Sequence, residues 1–387
     1  MHNQNPVFIP GPTNMPEALR RAVDMPTMDH RSAAFKDILH PALNGVKQVL
    51  KSETAEVFLF PSTGSGGWET ALSNTLSKGD KVLACENGMF GQKWIDMCQR
   101  HGLEVEVVSV PWGQGIPAHR FEEILTADKG HEIKAVLATH NETATGVVSD
   151  IAAVRAAINT AAHPALLFVD GVSSIGSMDF RMDEWGVDVA ITGSQKGFML
   201  PAGLAIAAFS PKAAAMTETA TLPRWYFDIR DMRAGYAVNG FPYTPPVGMI
   251  NGLKMATEML LSEGLENVFS RHARIAEGVR KAVTAWDMPL YAQSPELYSN
   301  SVSAIKTPEG FDANAIVALA SEKYDTAFGA GLGRVAGKLF RIGHLGSLPD
   351  VLALAGIATA EMCMKDLGLN ITLGSGVAAA QEHYRTT

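Results

Sequence analysis

The sequence predicts an α/β fold in which helices flank a mostly parallel sheet. Short apolar runs rich in strand-forming residues recur, and helix-length segments such as 66–77 and 150–162 separate several of them. Their apolar residues are continuous rather than alternating, which is typical of strands buried on both faces. The runs are VFLF (57–60), KVLA (81–84), VEVVSV (105–110), AVLATH (135–140), ALLFVD (165–170), VDVAITG (187–193) and LAIAAF (204–209).

The first intervening segment shows why a helix is expected there. From Trp68 to Leu76 the apolar residues recur at i, i+3 and i+4, and Gly79 marks the expected end. Beyond about 210 the pattern becomes irregular, and a further helix follows over about 248–262.

The chain has 387 residues, which is more than one compact core usually holds. We predict three parts, with the main boundary placed near 262. They are an N-terminal arm (1–20), a large domain (21–262) and a small C-terminal α+β domain (263–387).

Composition narrows the functional class. Hydrophobic residues make up 47% and charged residues 19%, as in well-packed globular proteins. The net charge of −8, without long runs of one sign, argues against a nucleic-acid partner but leaves room for a small anionic substrate. Three cysteines without paired spacing favour a cytoplasmic location. The sequence shows no secretory leader and no apolar run of about 18 residues, so we expect no membrane association, and we predict no metal site.

Three of the predicted strands end in residues that could form a site, because ligands bind at the carboxyl ends of strands in open α/β sheets. After VFLF, the segment PSTGSGGWE brings glycines and hydroxyls to a helix start, which suits an anion. The motif is incomplete, since Glu69 replaces the last glycine of a dinucleotide fingerprint and the P-loop lysine is missing. A glycine-rich turn with a purely geometric role is the alternative.

The other two strand ends carry opposite charges. ALLFVD ends in Asp170, which is either a turn cap or a buried carboxylate that needs a cationic partner. VDVAITG leads to Gln195 and Lys196, and a lysine is nucleophilic only where burial or charge lowers its pKa. Taken alone, Lys196 is better explained as a solvated surface residue at the end of a strand. Together, a phosphate cradle, a buried carboxylate and a lysine are the three anchors that pyridoxal 5′-phosphate requires.

Motifs along nearly the whole chain support this interpretation. They are GPTN (11–14), TGSGGWE (63–69), NGMFGQ (87–92), HNETATG (140–146), VDGVSS (169–174), GSQKG (193–197), PYTPPV (242–247) and FRIGHLG (340–346). In this order they resemble the motifs of the class V, fold type I, pyridoxal-phosphate-dependent aminotransferases, and the chain is most similar to the alanine/serine/aspartate–glyoxylate branch, with the aspartate-using bacterial members closest. The resemblance implies a large domain with a mostly parallel seven-stranded sheet. It also implies a homodimer whose active site is shared between subunits, with a tetramer left open.

The resemblance also implies roles for individual residues. Lys196 would hold the cofactor and move the proton, Asp170 would pair with the ring nitrogen, and Arg341 would bind the substrate α-carboxylate through its planar fork. Phe241 stands where relatives can place a phosphate-binding tyrosine. The remaining implied contacts are Phe90 on the ring face, Thr143 near the ring 3′-oxygen, Ser65, Gly66, Gly67 and Gln195 at the phosphate, Tyr243 and Thr244 from the partner subunit, and Gly11, Asn14, His30 and Arg31 at the substrate pocket or dimer contact.

The activity implied by the resemblance is ping-pong transamination from an L-amino acid to glyoxylate, giving glycine and an oxo-acid. Aspartate or serine is the predicted donor and alanine the alternative. Aspartate would need a further cation, for which Arg31, Arg224 and Arg334 are candidates. Two remote alternatives are a cysteine desulfurase-like enzyme and a non-catalytic cofactor-binding module. Cys85, Cys98 and Cys363 fall in predicted strands and helices rather than in a loop, which argues against the first.

Overall fold

The computed structural model describes residues 6–387. The strands are β1 (Val7–Phe8), β2 (Glu56–Ser62), β3 (Lys81–Glu86), β4 (Glu104–Ser109), β5 (Ile133–Thr139), β6 (Asn141–Glu142), β7 (Val147–Val148), β8 (Leu166–Asp170), β9 (Val189–Gly193), β10 (Gly203–Phe209), β11 (Val302–Lys306), β12 (Ala327–Ala330) and β13 (Leu339–Gly343). The α-helices are α1 (Glu17–Val23), α2 (Lys36–Val49), α3 (Gly64–Thr75), α4 (Met89–Arg100), α5 (Ala118–Ala127), α6 (Ile151–Thr160), α7 (Pro211–Ala215), α8 (Ile229–Ala237), α9 (Val247–Glu263), α10 (Leu265–Ala285), α11 (Asn314–Tyr324), α12 (Asp350–Asp366) and α13 (Ser375–Thr386).

The predicted sheet is confirmed. Each of the apolar runs forms a strand of one seven-stranded sheet, in the order β2-β10-β9-β8-β5-β3-β4. The pairs β3–β4, β3–β5, β5–β8 and β8–β9 are parallel, and only β10 runs against its neighbours β9 and β2. The helices predicted after the first run, near 150–162 and near 248–262 are α3, α6 and α9.

The continuous apolar pattern of the strands follows from burial of the sheet on both faces. Along β8, Leu167 and Val169 enter one hydrophobic cluster, whereas Leu166 and Phe168 enter the other. All four side chains are at most 3% exposed. Because burying one such side chain is worth about 1.5–3 kcal/mol, a polar residue at any of these positions would destabilise the sheet.

A second sheet of four strands, in the order β1-β12-β13-β11, lies in the C-terminal part of the chain. Its core packs against α10 to α13, and Phe8 from the N-terminus belongs to the same cluster. In β1, Val7 pairs with Ala327 and Phe8 with Phe328. The predicted three-part division stays a proposal, which the separate cluster supports, and α9 and α10 meet at Gly264, next to the proposed boundary.

The topology brings the predicted site residues to one edge. Since β2, β3, β5, β8 and β9 run in the same direction, their carboxyl ends lie on the same side of the sheet. Asp170 is the last residue of β8, and Lys196 follows β9 by three residues. In the described part of the chain, no helix combines the length and the apolar character needed to cross a membrane.

Candidate active site

A cavity of about 140 Å³ opens at the carboxyl edge of the large sheet. Its lining contains six of the predicted site residues: Ser65, Phe90, Thr143, Asp170, Gln195 and Lys196. It also contains residues that the sequence analysis did not single out, namely Thr63, Gly64, Trp68, Val172 and Ser173. The expectation that ligands bind at the carboxyl ends of the strands therefore agrees with the position of the cavity. The other lining residues are placed there by tertiary packing.

Lys196 lies in the loop between β9 and β10 and is largely enclosed. Its amine donates a hydrogen bond to the carbonyl of Pro10, which the N-terminal segment brings across the sheet edge. Burial lowers the pKa of Lys196 to about 8; the Arg341 charge lowers it further, and Asp170 opposes the change. Gly11 leaves room for the amine, because a Cβ there would lie 2.7 Å from Nζ and the backbone has φ +111. The structure therefore places a readily deprotonated amine at the cavity wall.

Asp170 presents a buried carboxylate to the cavity. One of its oxygens accepts a hydrogen bond from the Val172 N–H at 2.9 Å, and it forms no ion pair within residues 6–387. Burial raises its pKa to about 7; the Glu142 charge adds to the rise, and the Lys196 charge opposes it. A cation in the cavity would stabilise the ionised carboxylate, as a protonated ring nitrogen does.

The start of α3 places free backbone donors at one end of the cavity. The backbone N–H groups of Gly64 and Ser65 have no hydrogen-bond partner among the described residues, whereas those of Gly66 and Gly67 donate to the Thr63 carbonyl at 2.8 and 3.2 Å. Of the predicted phosphate contacts in this segment, Ser65 therefore has a free N–H, and Gly64, which was not predicted, has the other. The arrangement does not support phosphate contacts for Gly66 and Gly67, whose predicted role is left untested, but it suits an anion at the helix N-terminus.

Two further features shape this end of the cavity. A Cβ on Gly67 would lie 2.5 Å from Ile191, so the glycine allows α3 to pack closely on β9. The side-chain oxygen of Gln195 is buried and has no hydrogen-bond partner in the described chain. This oxygen is an acceptor and needs a donor, so a contact from Gln195 to an anion would come from its amide nitrogen.

The flat central part of the cavity is lined by aromatic and hydroxyl groups. Phe90 meets Trp68 edge to face, with ring centroids 6.5 Å apart and a 70° interplanar angle. The Thr143 hydroxyl donates to Ser173 Oγ at 2.8 Å, which itself donates to the Asn141 carbonyl at 2.9 Å. This combination provides a ring-sized apolar slot with hydroxyl groups at one side.

Arg341 lies behind Thr143 rather than in the lining of the cavity. Its Nε donates to the Ala330 carbonyl at 2.9 Å and its Nη1 to the Thr143 carbonyl at 3.0 Å. Burial lowers its pKa to about 10, while Glu142 opposes the change, so the guanidinium stays charged at neutral pH. Its Nη2 makes no hydrogen bond within residues 6–387. The structure therefore holds a buried cation close to the cavity with one donor group left over.

Four other predicted site residues, Asn14, Arg31, Tyr243 and Thr244, do not line this cavity. Both ends of the Asn14 amide bond the backbone of Val7, at 3.2 and 2.8 Å, which secures β1. Arg31 is exposed in a turn, and Thr244 is exposed as well. The Tyr243 hydroxyl donates to the Tyr226 carbonyl at 3.1 Å. Their roles at the substrate pocket or in a partner subunit stay predictions.

Pyridoxal 5′-phosphate fits the residues present. The free N–H groups of Gly64 and Ser65 suit its phosphate, and the slot beside Phe90 suits its ring. The unpaired Asp170 carboxylate suits its ring nitrogen, and the Lys196 amine suits its aldehyde. These protein groups are each complementary to a different part of the same cofactor molecule.

Comparison with known proteins shows the family to which the chain is similar. The chain matches the sequence model of the family described as Aminotransferase class-V over residues 18–333. It is 74% identical to the L-aspartate–glyoxylate aminotransferase of Paracoccus denitrificans, covering 100% of this chain and 98% of that protein. It is 51% identical to the serine–glyoxylate aminotransferase of Hyphomicrobium methylovorum, covering 98% and 94%.

The fold is likewise shared with solved structures. The pyridoxamine–pyruvate aminotransferase of Mesorhizobium loti superimposes with a TM-score of 0.92 at 28% identity, covering 98% of this chain and 97% of that one. The fold-type I architecture predicted from the motifs is therefore confirmed, and pyridoxal 5′-phosphate is the cofactor. The chain belongs to the class-V aminotransferases.

Proposed function

We propose that this aminotransferase uses L-aspartate as its donor and glyoxylate as its acceptor, producing oxaloacetate and glycine in two half-reactions. The observation that carries the proposal is the 74% identity to an aspartate–glyoxylate enzyme along the full chain, against 51% to a serine–glyoxylate enzyme. Both relatives use glyoxylate according to their names, so transfer to glyoxylate is the common part of the activity, and the donor distinguishes them.

Lys196 is the proton carrier in this proposal. When bound, pyridoxal 5′-phosphate supplies an electron sink that stabilises negative charge at the amino acid Cα. The Lys196 amine has a pKa lowered to about 8, so it can accept the Cα proton near neutral pH and later return a proton. The N-terminal segment at Pro10 and Gly11 covers this amine, which limits its contact with water.

Asp170 and the start of α3 fix the position of the ring. The Asp170 carboxylate favours a positive charge at the ring nitrogen, because both groups are then paired in a buried site. The Gly64 and Ser65 N–H groups anchor the opposite, anionic end. With both ends held, the Cα substituents stay in reach of Lys196.

Replacing Arg341 by lysine is expected to raise KM for both aspartate and glyoxylate by about 10–100-fold, with a smaller change in kcat. A lysine cannot form the planar, two-pronged contact to a carboxylate, nor reproduce the bonds to Ala330 and Thr143. Steady-state kinetics with each substrate varied in turn would measure the effect. Arg233→Lys, which alters a pair with Glu56 at the surface, is the control. Unchanged KM values for both substrates would rule out Arg341 as the carboxylate-binding residue.

The second carboxylate of aspartate needs its own cation, and the three candidates differ in availability. Arg224 is committed to the carbonyls of Ser73, Thr217 and Ala220. Arg334 forms an ion pair with Glu86. Arg31 lies outside the cavity of its own chain, but it is exposed and makes no side-chain hydrogen bond in the described part of the chain, so it stays the candidate for this role.

The donor panel tests the proposed function. With glyoxylate as acceptor, we expect kcat/KM for aspartate to exceed the values for serine and alanine by about tenfold or more, because the second carboxylate adds a charge-assisted contact. Glycine formation would be measured by mass spectrometry for each donor under identical conditions. Absence of glycine from aspartate, with formation from serine, would transfer the assignment to serine.

We also propose a homodimer, and the predicted cytoplasmic location is retained. Tyr243 and Thr244 lie outside the cavity of their own chain, as expected if they reach a partner's cavity. Trp225 and Val238, in the same irregular region, are 77% and 76% exposed and could be covered by a partner subunit. A desulfurase activity finds no support, since burial raises the pKa of Cys85 and Cys98 to about 12 and that of Cys363 to about 11, and none lines the cavity.

A further inference from the structure

Glu142 is a buried carboxylate to which neither the motifs nor the proposed mechanism gives a role. It lies in β6, within the motif HNETATG, and is fully shielded from solvent. Its Oε2 accepts hydrogen bonds from the N–H groups of Phe90 (2.8 Å) and Gly91 (3.2 Å), and its Oε1 accepts one from Ala144 (2.9 Å). Burying such a group is unfavourable unless it is satisfied in this way, so its presence asks for an explanation.

The first explanation concerns helix α4. A helix usually begins with a residue whose side chain accepts the second or third N–H of the helix, but α4 begins after Gly88, which has no side chain. The N–H groups of Phe90 and Gly91 are the second and third of α4, and Glu142 accepts both from 52 and 51 residues away. Gly88 makes room for this contact, because a Cβ there would lie 2.1 Å from Glu142 Cγ. Glu142 therefore caps α4 from a distant strand and fixes where Phe90 stands.

The second explanation concerns Arg341. The residue after Glu142, Thr143, accepts the Arg341 Nη1 hydrogen bond through its carbonyl, and Ala144 then donates back to Glu142. The Arg341 guanidinium is buried and forms no ion pair among the described residues. Burial raises the pKa of Glu142 and lowers that of Arg341, and the charge of each group opposes the change in the other. Through the backbone of Thr143 and Ala144, Glu142 is thus linked to the side chain expected to meet the substrate.

We propose that Glu142 is a positioning residue that places Phe90 against the cofactor ring and, by holding the Thr143–Ala144 backbone, orients Arg341 toward the substrate carboxylate. One buried group thereby couples the cofactor-binding and substrate-binding halves of the site. The inference rests on the proposed role of Arg341 in carboxylate binding.

Glu142→Gln tests the coupling. The amide keeps the shape, but it removes the charge beside Arg341, and its NH₂ faces one of the three backbone donors. We expect the dissociation constant of pyridoxal 5′-phosphate, titrated into cofactor-free protein by absorbance, to rise about tenfold, and KM for glyoxylate and aspartate to rise about tenfold. Asp150→Ala, which removes the N-cap of α6 away from the cavity, is the control for cap loss alone. It should lower Tm and leave these constants unchanged.

A second variant separates the two roles and guards against a folding failure. In Gly88→Ser/Glu142→Ala, a local serine can cap α4 in the space vacated by the glutamate, but the Ala144 N–H loses its acceptor and the backbone that holds Arg341 is released. We expect cofactor affinity to return to within about threefold of wild type, while KM for glyoxylate stays raised about tenfold. Wild-type cofactor affinity and KM in Glu142→Gln would overturn the proposal, and so would joint recovery of both constants in the double variant.

The outcome is distinguishable from failure of the proposed function. If Arg341→Lys raises KM but Glu142→Gln does not, the substrate role of Arg341 stands and the coupling through Glu142 is wrong. If neither variant changes KM, the carboxylate-binding assignment itself is wrong. The cofactor titration remains informative in both cases, because it requires no turnover.

Discussion

Replacing Lys196 by alanine is expected to lower the rate of glycine formation by about 10³-fold or more, since a positioned acid–base group typically contributes 10²–10⁴-fold. The cavity holds this amine at its wall, where burial lowers its pKa to about 8. No other lysine lines the cavity within residues 6–387, so no neighbouring amine can take its place. The variant should also lose the covalent attachment of the cofactor.

Two measurements check this expectation. Steady-state assays give the rate, and borohydride reduction followed by peptide mass spectrometry locates the covalently bound cofactor. Lys134→Ala is the control, because that lysine is exposed and bonds only the His131 carbonyl. A Lys196→Ala protein that retains wild-type turnover, or a reduced adduct on another residue, would contradict the assignment.

Replacing Asp170 by asparagine is expected to lower kcat by about 10²–10³-fold, because the amide cannot stabilise positive charge at the ring nitrogen. The shape is preserved, and the amide oxygen can still accept the 2.9 Å bond from the Val172 N–H. Asp325→Asn is the matched control, since that residue is exposed and its left-handed backbone suits asparagine. Wild-type kcat in Asp170→Asn would contradict the role of the carboxylate.

The same substitution should stabilise the cofactor-free protein at pH 8. The pKa of Asp170 is raised from 3.8 to about 7, so the folded protein binds this proton more tightly than the unfolded chain. Its contribution to stability therefore falls as pH rises from about 4 to about 7, and at pH 8 the buried charge costs on the order of 4 kcal/mol. We expect Asp170→Asn to have the higher Tm at pH 8 and the difference to narrow toward pH 5. An equal or lower Tm at pH 8 would contradict this reading of Asp170.

Local pattern was sufficient to predict the large sheet and the two charged residues at its edge. The strands are buried on both faces, so their apolar runs carry a clear signal, and Asp170 and Lys196 follow directly from the strand ends. The small sheet gave no such signal, because its first strand is only Val7–Phe8 and its partner is β12, near the other end of the chain. Such a pairing depends on tertiary packing and leaves no local trace.

Several individual residues of the site were not predicted, because their positions also depend on contacts between distant parts of the chain. The N–H groups left free at the helix start belong to Gly64 and Ser65, of which only Ser65 was predicted as a phosphate contact, because α3 starts earlier than the apolar spacing suggested. Trp68 was interpreted as a core residue because it fits the apolar spacing of α3, so its position in the cavity lining was not predicted. The sequence analysis did not predict the role of Glu142, because the residues it caps lie about 50 positions earlier. A glycine at the start of α4 was a usable signal, since a helix without a local capping side chain needs its cap from elsewhere.

The most direct test of the account is the isolated donor half-reaction. Protein carrying pyridoxal 5′-phosphate is mixed with ¹⁵N-labelled aspartate alone, desalted, and then mixed with unlabelled glyoxylate. We expect about one equivalent of oxaloacetate per active site in the first step and one equivalent of ¹⁵N-glycine in the second. The reason is that the enzyme retains the nitrogen after the first substrate leaves and before the second binds. Glycine that forms only when aspartate and glyoxylate are present together, or glycine without the label, would contradict it.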